Sequence, residues 1–180
     1  MIKIGGNNTN QKVIVIINGS GGCGKSTFCK LCGKHIQTKE ISTVDKVKEA
    51  FKILGWDGTT KTEDIRIELS NIKDISTRLF DHPYKYIRNQ INAFLKEDNE
   101  DNKDNLLFVN SREPDEIARF VKHFKCITLH IINPNVKLIT SNHADANTNE
   151  YNYDFTIYNN GSLTDFENQA INFIEKVMKN

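Results

Sequence analysis

The stretch 13-VIVIINGSGGCGKST-27 changes character in its middle. Val13 to Ile17 is a continuous apolar run of β-branched residues, too short for a helix, and it predicts a strand buried on both faces. The run breaks into a glycine cluster with Lys25, Ser26 and Thr27, after which a helix is expected from Ser26 to about Ile36. Gly19 to Ser26 fits G-x-x-x-x-G-K-S/T without a mismatch, in the strand-then-helix setting that a phosphate-binding loop requires. Glycines let such a loop take positive φ and bring its N–H groups against phosphate oxygens, and the helix N-terminus adds favourable partial charge. Gly19, Gly21, Gly22, Cys23 and Gly24 are therefore candidates for the phosphate cradle. Lys25 is expected on the β- and γ-phosphates, Ser26 on a Mg²⁺ ion bridging them, and Thr27 on a further phosphate oxygen. A turn that merely joined strand to helix would explain neither the lysine nor its place in the chain. The loop implies a nucleoside triphosphate, with ATP and Mg²⁺ as expected cofactors, and leaves the acceptor open.

Outward from the loop, strands and helices alternate. Strands are expected at Lys39–Thr43, Leu106–Val109, Cys126–Ile132 and Tyr153–Tyr158, and helices at Val44–Leu54, Thr62–Phe80, Pro83–Leu95, Pro114–Phe124 and Ser162–Met178. In the long helix Ile65, Leu69, Ile72, Ile75 and Leu79 recur at steps of three and four. Proline suits the first turn of the two helices it opens, and Ser162 is a candidate N-cap. The alternation predicts an α/β fold of three layers, a five-stranded parallel sheet with helices on both faces. Ligands of such sheets sit beyond the carboxyl ends of the strands, here Asn18, Thr43, Asn110, Ile132 and Tyr158.

Bulk properties narrow the classes. The 180 residues suit one domain with a real core. With 24 basic and 23 acidic side chains the net charge is +1, which provides no polyelectrolyte argument for nucleic acid or an anionic membrane. No apolar run is long enough to span a bilayer, and the N-terminus lacks the pattern of a signal peptide. Cys29 and Cys32 form a lone C-x-x-C without the second pair that a structural zinc site needs, so they are expected to pack inward on one helix face. Reduced thiols and no signal predict a cytoplasmic protein. The polar segment Lys96–Asn105 reads as a solvated loop, and GGNNTN at 5–10 as a flexible lead-in.

Three classes share this loop: small-molecule kinases, switch GTPases and ATPases that drive partner assembly. The strand ending at Ile132 is followed by NPNV where a translation-type GTPase carries N-K-x-D. Partitioning-type ATPases carry K-G-G-x-G-K-S/T-T, and Ser20 occupies the position of their first lysine. A kinase needs cations around the transferred phosphoryl group. Candidates are Lys46 beside Asp45, Arg112, and Arg66, Lys73, Lys85 and Arg88 on the helical segment between strands two and three.

At this level the chain resembles phage-type deoxynucleoside monophosphate kinases and their relatives. FVNSREPDEIARF, 108–120, is similar to their strand-end D-x-R-x-x-x-E, with Arg112 and Glu116 on the Arg and Glu. STVDKVKEAFKILGWDGTT, 42–60, resembles their D-x-x-K helix and G-W-D-G turn. The segment 140–166 resembles their lid followed by Y-D-x-x-I-x-N-x-G-S/T-L. The resemblance runs from Val13 to about Phe166. It implies one P-loop kinase domain over 1–180, an acceptor-binding helical region at about 55–105 and a lid at about 133–150. Two departures stand out: the family's strand-three Asp is Asn110, and the lid arginine after strand four is absent, Lys137 being the cation there. Either phosphoryl transfer is then slow, or another residue such as Arg112 or Arg119 supplies the charge.

These readings place Lys25, Asp45 and Arg112 as catalytic candidates, with Asp45, Arg66 and Arg112 facing the acceptor. Asp45 would orient the acceptor, take its proton or position Mg²⁺, although a charge meeting the helix dipole explains it as well. A guanidinium at Arg112 suits a bidentate grip on a phosphate, the alternative being an ion pair with Glu116. Arg66 and Lys73, seven apart, share a helix face, with solvation the ordinary reading for Lys73. Trp56 is a base-stacking or packing residue. Asn159, Asn160 and Gly161 form the turn after the last strand, which is expected to contact the donor adenine, Asn160 foremost, or to serve the turn alone. His143 and Asp145 are too few for a metal site. The expected activity is phosphoryl transfer from ATP to a (deoxy)nucleoside monophosphate by a monomer or homodimer. The alternatives are a P-loop ATPase or nucleotide switch acting on a protein partner, and a kinase for a non-nucleotide metabolite.

Overall fold

The computed structural model describes residues 11–60, 62–97, 105–136 and 151–179. Five strands, β1 (Val13–Asn18), β2 (Thr38–Ser42), β3 (Leu106–Asn110), β4 (Cys126–Ile132) and β5 (Phe155–Tyr158), form one parallel sheet in the order β2-β3-β1-β4-β5. The helices are α1 (Lys25–Cys32), α2 (Asp45–Ile53), α3 (Glu63–Phe80), α4 (His82–Lys96), α5 (Pro114–His123) and α6 (Leu163–Val177). The expected three-layer α/β architecture is the observed one.

Sheet order explains the apolar run at the start of the chain. β1 is central: Val15 lies between Phe108 of β3 and Ile127 of β4, and all six residues of β1 are buried. Successive strand residues point to opposite faces, so two cores form. Val13, Val15, Ile17, Phe108, Leu129 and Ile131 pack beneath α1 and α6, whereas Ile14, Ile16, Ile41, Leu107 and Val109 pack beneath α4 and α5. Phe28 of α1 knits the first core, its ring centroid 5.4 Å from Phe166 and 5.6 Å from Phe173.

Cys29 and Cys32 are buried in that core, as the spacing predicts. Burial pushes the Cys32 thiol up to about 12 and raises Cys29 too, where Glu40 adds to the effect. Both act as small apolar side chains. Among the described residues no three His, Cys, Asp or Glu side chains gather as a metal group, and no helix is long and apolar enough to cross a membrane.

Several boundaries differ from the sequence expectation for local reasons. α1 gives way after Cys32: Gly33 is still helical and its N–H bonds the Cys29 carbonyl, but Lys34 and His35 bond three residues back, to Leu31 and Cys32, in a tighter turn. β5 begins at Phe155, two residues later than expected. The Asp154 carboxylate takes the Thr128 N–H and hydroxyl, both at 2.8 Å, using a β4 donor that a longer strand would have paired. In α3 the apolar stripe is covered only in part: Ile75 and Leu79 are about half exposed, while Lys73 is buried at 6% exposure. Its N-terminus is capped by Thr62 and that of α6 by a Ser162–Asp165 capping box.

Phe28→Ala should cost about 3–5 kcal/mol, the usual loss for a fully buried phenylalanine. Urea denaturation followed by circular dichroism measures it, and a loss under about 1 kcal/mol would mean that this core is not closed as described.

Candidate functional site

β1 ends in an amide that sets the loop's starting point. Asn18 is fully buried; its Oδ1 accepts the Gly19 N–H at 2.7 Å, and its Nδ2 donates to the Arg112 carbonyl at 3.1 Å and the Tyr153 hydroxyl at 2.6 Å. Burial raises the Tyr153 phenol to about 12, so it stays protonated. The Tyr153 ring stacks on buried His130, whose pKa is lowered by desolvation and then by Lys25, so the imidazole is held towards its neutral form.

The glycines of the loop are required by geometry at two points. Gly19 has φ +141° and its α-carbon abuts the Ile131 carbonyl, leaving no room for a side chain. Gly24 has φ +108°, and a Cβ there would lie 2.5 Å from Asn159 Nδ2. That amide belongs to a brace, because Asn159 Nδ2 donates to the Cys23 carbonyl at 3.0 Å while the Asn159 N–H bonds the Ile132 carbonyl at 2.7 Å. The turn after β5 is thereby bound to the loop through Asn159. Asn160 and Gly161, the other residues of the turn expected at the donor base, are exposed beside it. Lys25 curls over the loop, its Nζ donating to Gly19 O at 2.5 Å and Ser20 O at 2.9 Å and lying 3.8 Å from Cys23 Sγ. Its ammonium therefore faces the concave side where phosphate oxygens would compete for the same protons.

A cavity of about 580 Å³ opens beyond the carboxyl ends of β1, β2 and β3. Of the residues singled out from sequence, the loop residues Gly21, Gly22, Gly24, Lys25, Ser26 and Thr27 line it together with Asp45, Arg66, Lys73, Asn110 and Arg112. Gly19 and Cys23 lie beneath as the buried floor of the loop. Asp45 Oδ2 accepts the Ser42 N–H at 2.7 Å and its Oδ1 is 3.6 Å from Lys48 Nζ. Lys48 lines the cavity, whereas Lys46 pairs with Glu49 on the outer side of α2. Trp56 also lines it; its indole N–H donates to the Thr60 carbonyl at 2.8 Å, in a turn fastened by Asp57 to the Thr59 and Thr60 amides.

Three expectations require correction. Lys73 is buried rather than solvated, and its Nζ lies 2.9 Å from Glu116 Oε2, which also accepts from Ser111 Oγ at 3.1 Å. This pair ties α3 to the segment carrying Arg112. Removing one partner of such a buried pair strands the other charge, at a typical cost of about 3–5 kcal/mol. Arg119 does not supply charge to the cavity. Its guanidinium forks onto Asp81 with two 2.6 Å bonds and stacks on the Tyr84 ring at 3.5 Å. Asp81 is the left-handed hinge between α3 and α4, and the Arg119 bond holds its carboxyl below the usual range. Lys85 donates to the Phe80 carbonyl and Arg88 is exposed, both away from the cavity lining. Lys137, His143, Asp145 and most of the expected lid lie outside the described residues.

Several cavity residues were not singled out from sequence, Lys48 and Glu40 among them. Glu40, in mid-β2, accepts from Ser26 Oγ at 2.9 Å and from Asn110 Nδ2 at 2.8 Å through a single oxygen, Oε1. The available signal was strand alternation, since Glu40 and Ser42 share a face and Ser42 pairs in register with Asn110.

No family model matches the sequence, and no curated protein matches it. Among solved structures, a dephospho-CoA kinase from Campylobacter jejuni has 19% identity and a TM-score of 0.51, with 92% of this chain and 97% of that one covered. A shikimate kinase from Acinetobacter baumannii, in complex with shikimate, has 10% identity and a TM-score of 0.53, with 95% of each chain covered. The fold is therefore the P-loop α/β fold that these kinases share.

Asn159→Ala should release the loop from β5 at a cost of about 1 kcal/mol, the net worth of a typical hydrogen bond. Hydrogen–deuterium exchange is expected to quicken at the amides around Gly22–Lys25 with the β1 amides unchanged. Equal protection in both proteins would remove Asn159 as the brace.

Proposed function

We propose that the chain is an ATP-dependent (deoxy)nucleoside monophosphate kinase: ATP and a (d)NMP become ADP and a (d)NDP. The observation that carries this reading is one cavity lined on one side by the phosphate loop and on the other by Lys48, Arg66 and Arg112. Cations on both sides of a reacting centre suit two phosphate-bearing ligands meeting end to end. Trp56 supports a base-bearing acceptor, because its N–H is committed to Thr60 and its ring borders the cavity.

In this reading the backbone N–H groups of the loop and Lys25 hold the donor phosphates. Lys25 exchanges the Gly19 and Ser20 carbonyls for phosphate oxygens. The Ser26 hydroxyl is an oxygen donor of the hard kind that Mg²⁺ takes, and it faces the cavity beside the Glu40 carboxylate. Mg²⁺, when bound, neutralises charge between the β- and γ-phosphates. Arg112 and Arg66 grip the acceptor phosphate and aim one of its oxygens in line with the γ-phosphorus. A phosphate oxygen is already a nucleophile, so alignment and charge stabilisation do most of the work, and Asp45 orients rather than deprotonates.

A kinase for a hydroxylated metabolite is the second reading. Asp45 favours it, as a carboxylate at the cavity wall that would take the proton of an alcohol. An acceptor screen separates the two. Coupled ADP release is measured with each NMP and dNMP, and then with small alcohols and acids. Acceptor-dependent ADP is expected with at least one nucleotide, and its absence with all of them sinks the first reading. Lys25→Ala should lower turnover about 10²-fold or more while the melting temperature stays put. Arg112→Ala should raise the acceptor KM about tenfold, the scale of a lost charge-assisted hydrogen bond.

A further inference from the structure

The contact between Glu40, Ser26 and Asn110 assigns a role that the strand-three position does not fill. We propose that Glu40 is the carboxylate that anchors the divalent cation of the site, working through the Ser26 hydroxyl, and that Asn110 serves to hold Glu40 in place. The inference rests on the nucleotide reading of the loop.

A serine hydroxyl that binds a cation through its oxygen must send its proton elsewhere. The Ser26 proton has an acceptor in Glu40 Oε1 at 2.9 Å, which leaves the hydroxyl lone pairs for a metal. Glu40 also brings negative charge beside that hydroxyl, which a hard cation favours. The other carboxylate nearby, Asp45, has Oδ2 committed to the Ser42 N–H and Oδ1 facing Lys48.

Asn110 then becomes intelligible. Its Nδ2 donates to the same Glu40 oxygen at 2.8 Å. An aspartate at 110 would bring a second carboxylate to that oxygen with no proton between them, so a carboxylate at 40 calls for an amide at 110. The carboxylate stands in the middle of edge strand β2, one strand over from the end of β3 where the amide lies. Ile41 pairs with Val109 and Ser42 with Asn110, so neighbouring strands hold the two positions at a fixed separation.

The test measures binding, apart from turnover. A fluorescent ADP analogue is titrated onto the full chain across a Mg²⁺ series, and Mn²⁺ replaces Mg²⁺ in a parallel electron paramagnetic resonance titration. Wild type should bind the analogue more tightly as Mg²⁺ rises. Glu40→Gln should raise the Mg²⁺ and Mn²⁺ concentrations at half-effect about tenfold or more, with metal-free affinity equal or tighter. The double variant Glu40→Gln, Asn110→Asp, which restores one carboxylate and one amide with their places exchanged, should recover most of the metal response. Glu40 is exposed and glutamine has its shape, so the variants should fold, which circular dichroism checks. A Glu40→Gln protein whose metal titration overlays wild type overturns the assignment and leaves the nucleotide reading intact. A double variant no better than the single one also overturns it, because the loss would then not follow the charge. A wild-type chain that binds no nucleotide at any Mg²⁺ concentration overturns both.

Discussion

Asn18 holds the site together at its most constrained point. β1 has a strand on each edge and a helical layer on each face, so its end is the least mobile place from which to launch a loop. The Asn18 side chain uses that rigidity in three directions, to Gly19, to the Arg112 carbonyl and to Tyr153. The glycine loop, Arg112 and the approach to β5 are thus referenced to one buried amide. A buried polar network of this kind is favourable only because every partner is satisfied, and it fixes position as much as it stabilises. The closed spaces around Gly19 and Gly24 follow from it, since a loop pinned at its base and braced by Asn159 has no slack for a Cβ.

The α3 side of the cavity is built differently. α3 is a long helix whose described contacts are uneven, with Ile75 and Leu79 half in solvent and Lys73 inside. Its attachment to the sheet layer depends on charge: Lys73 to Glu116, and Asp81 at its end to Arg119. The first pair is nearly dry and makes the interface intolerant of a missing partner; the second is at the surface and contributes modestly. Arg66 and Lys73 share one helix face and both line the cavity, yet Lys73 is buried and committed to Glu116.

The architecture was legible because the inner strands of a doubly covered parallel sheet must be largely apolar, as β1, β3 and β4 are, and they alternate with helical periods, whereas the edge strands β2 and β5 carry polar residues. The phosphate loop was legible because glycine, lysine and hydroxyl spacing is dictated by backbone geometry. What escaped notice depends on partners far along the chain. Lys73 reads as solvated until Glu116, 43 residues on, is brought to it by two helices. Arg119 reads as a spare cation until Asp81 adopts a left-handed conformation opposite it. The late start of β5 follows from a side chain that occupies a backbone donor, which strand periodicity does not register. Glu40 escaped because attention to strand ends passes over mid-strand residues, while an edge strand can offer a mid-strand side chain to a neighbouring loop.

The shared oxygen between positions 40 and 110 has a consequence for how such a site drifts. The two residues form one electrical unit, whose sum of charge matters more than the address of either member. Changing 110 alone to a carboxylate crowds two negative groups together, and neutralising 40 alone leaves none, so both single steps are disfavoured and the exchange is passable only in tandem. Chains on either side of that exchange would bear the same charge beside the phosphate loop yet differ at each position inspected separately. A comparison that scored strand three by itself would miss the carboxylate one strand away.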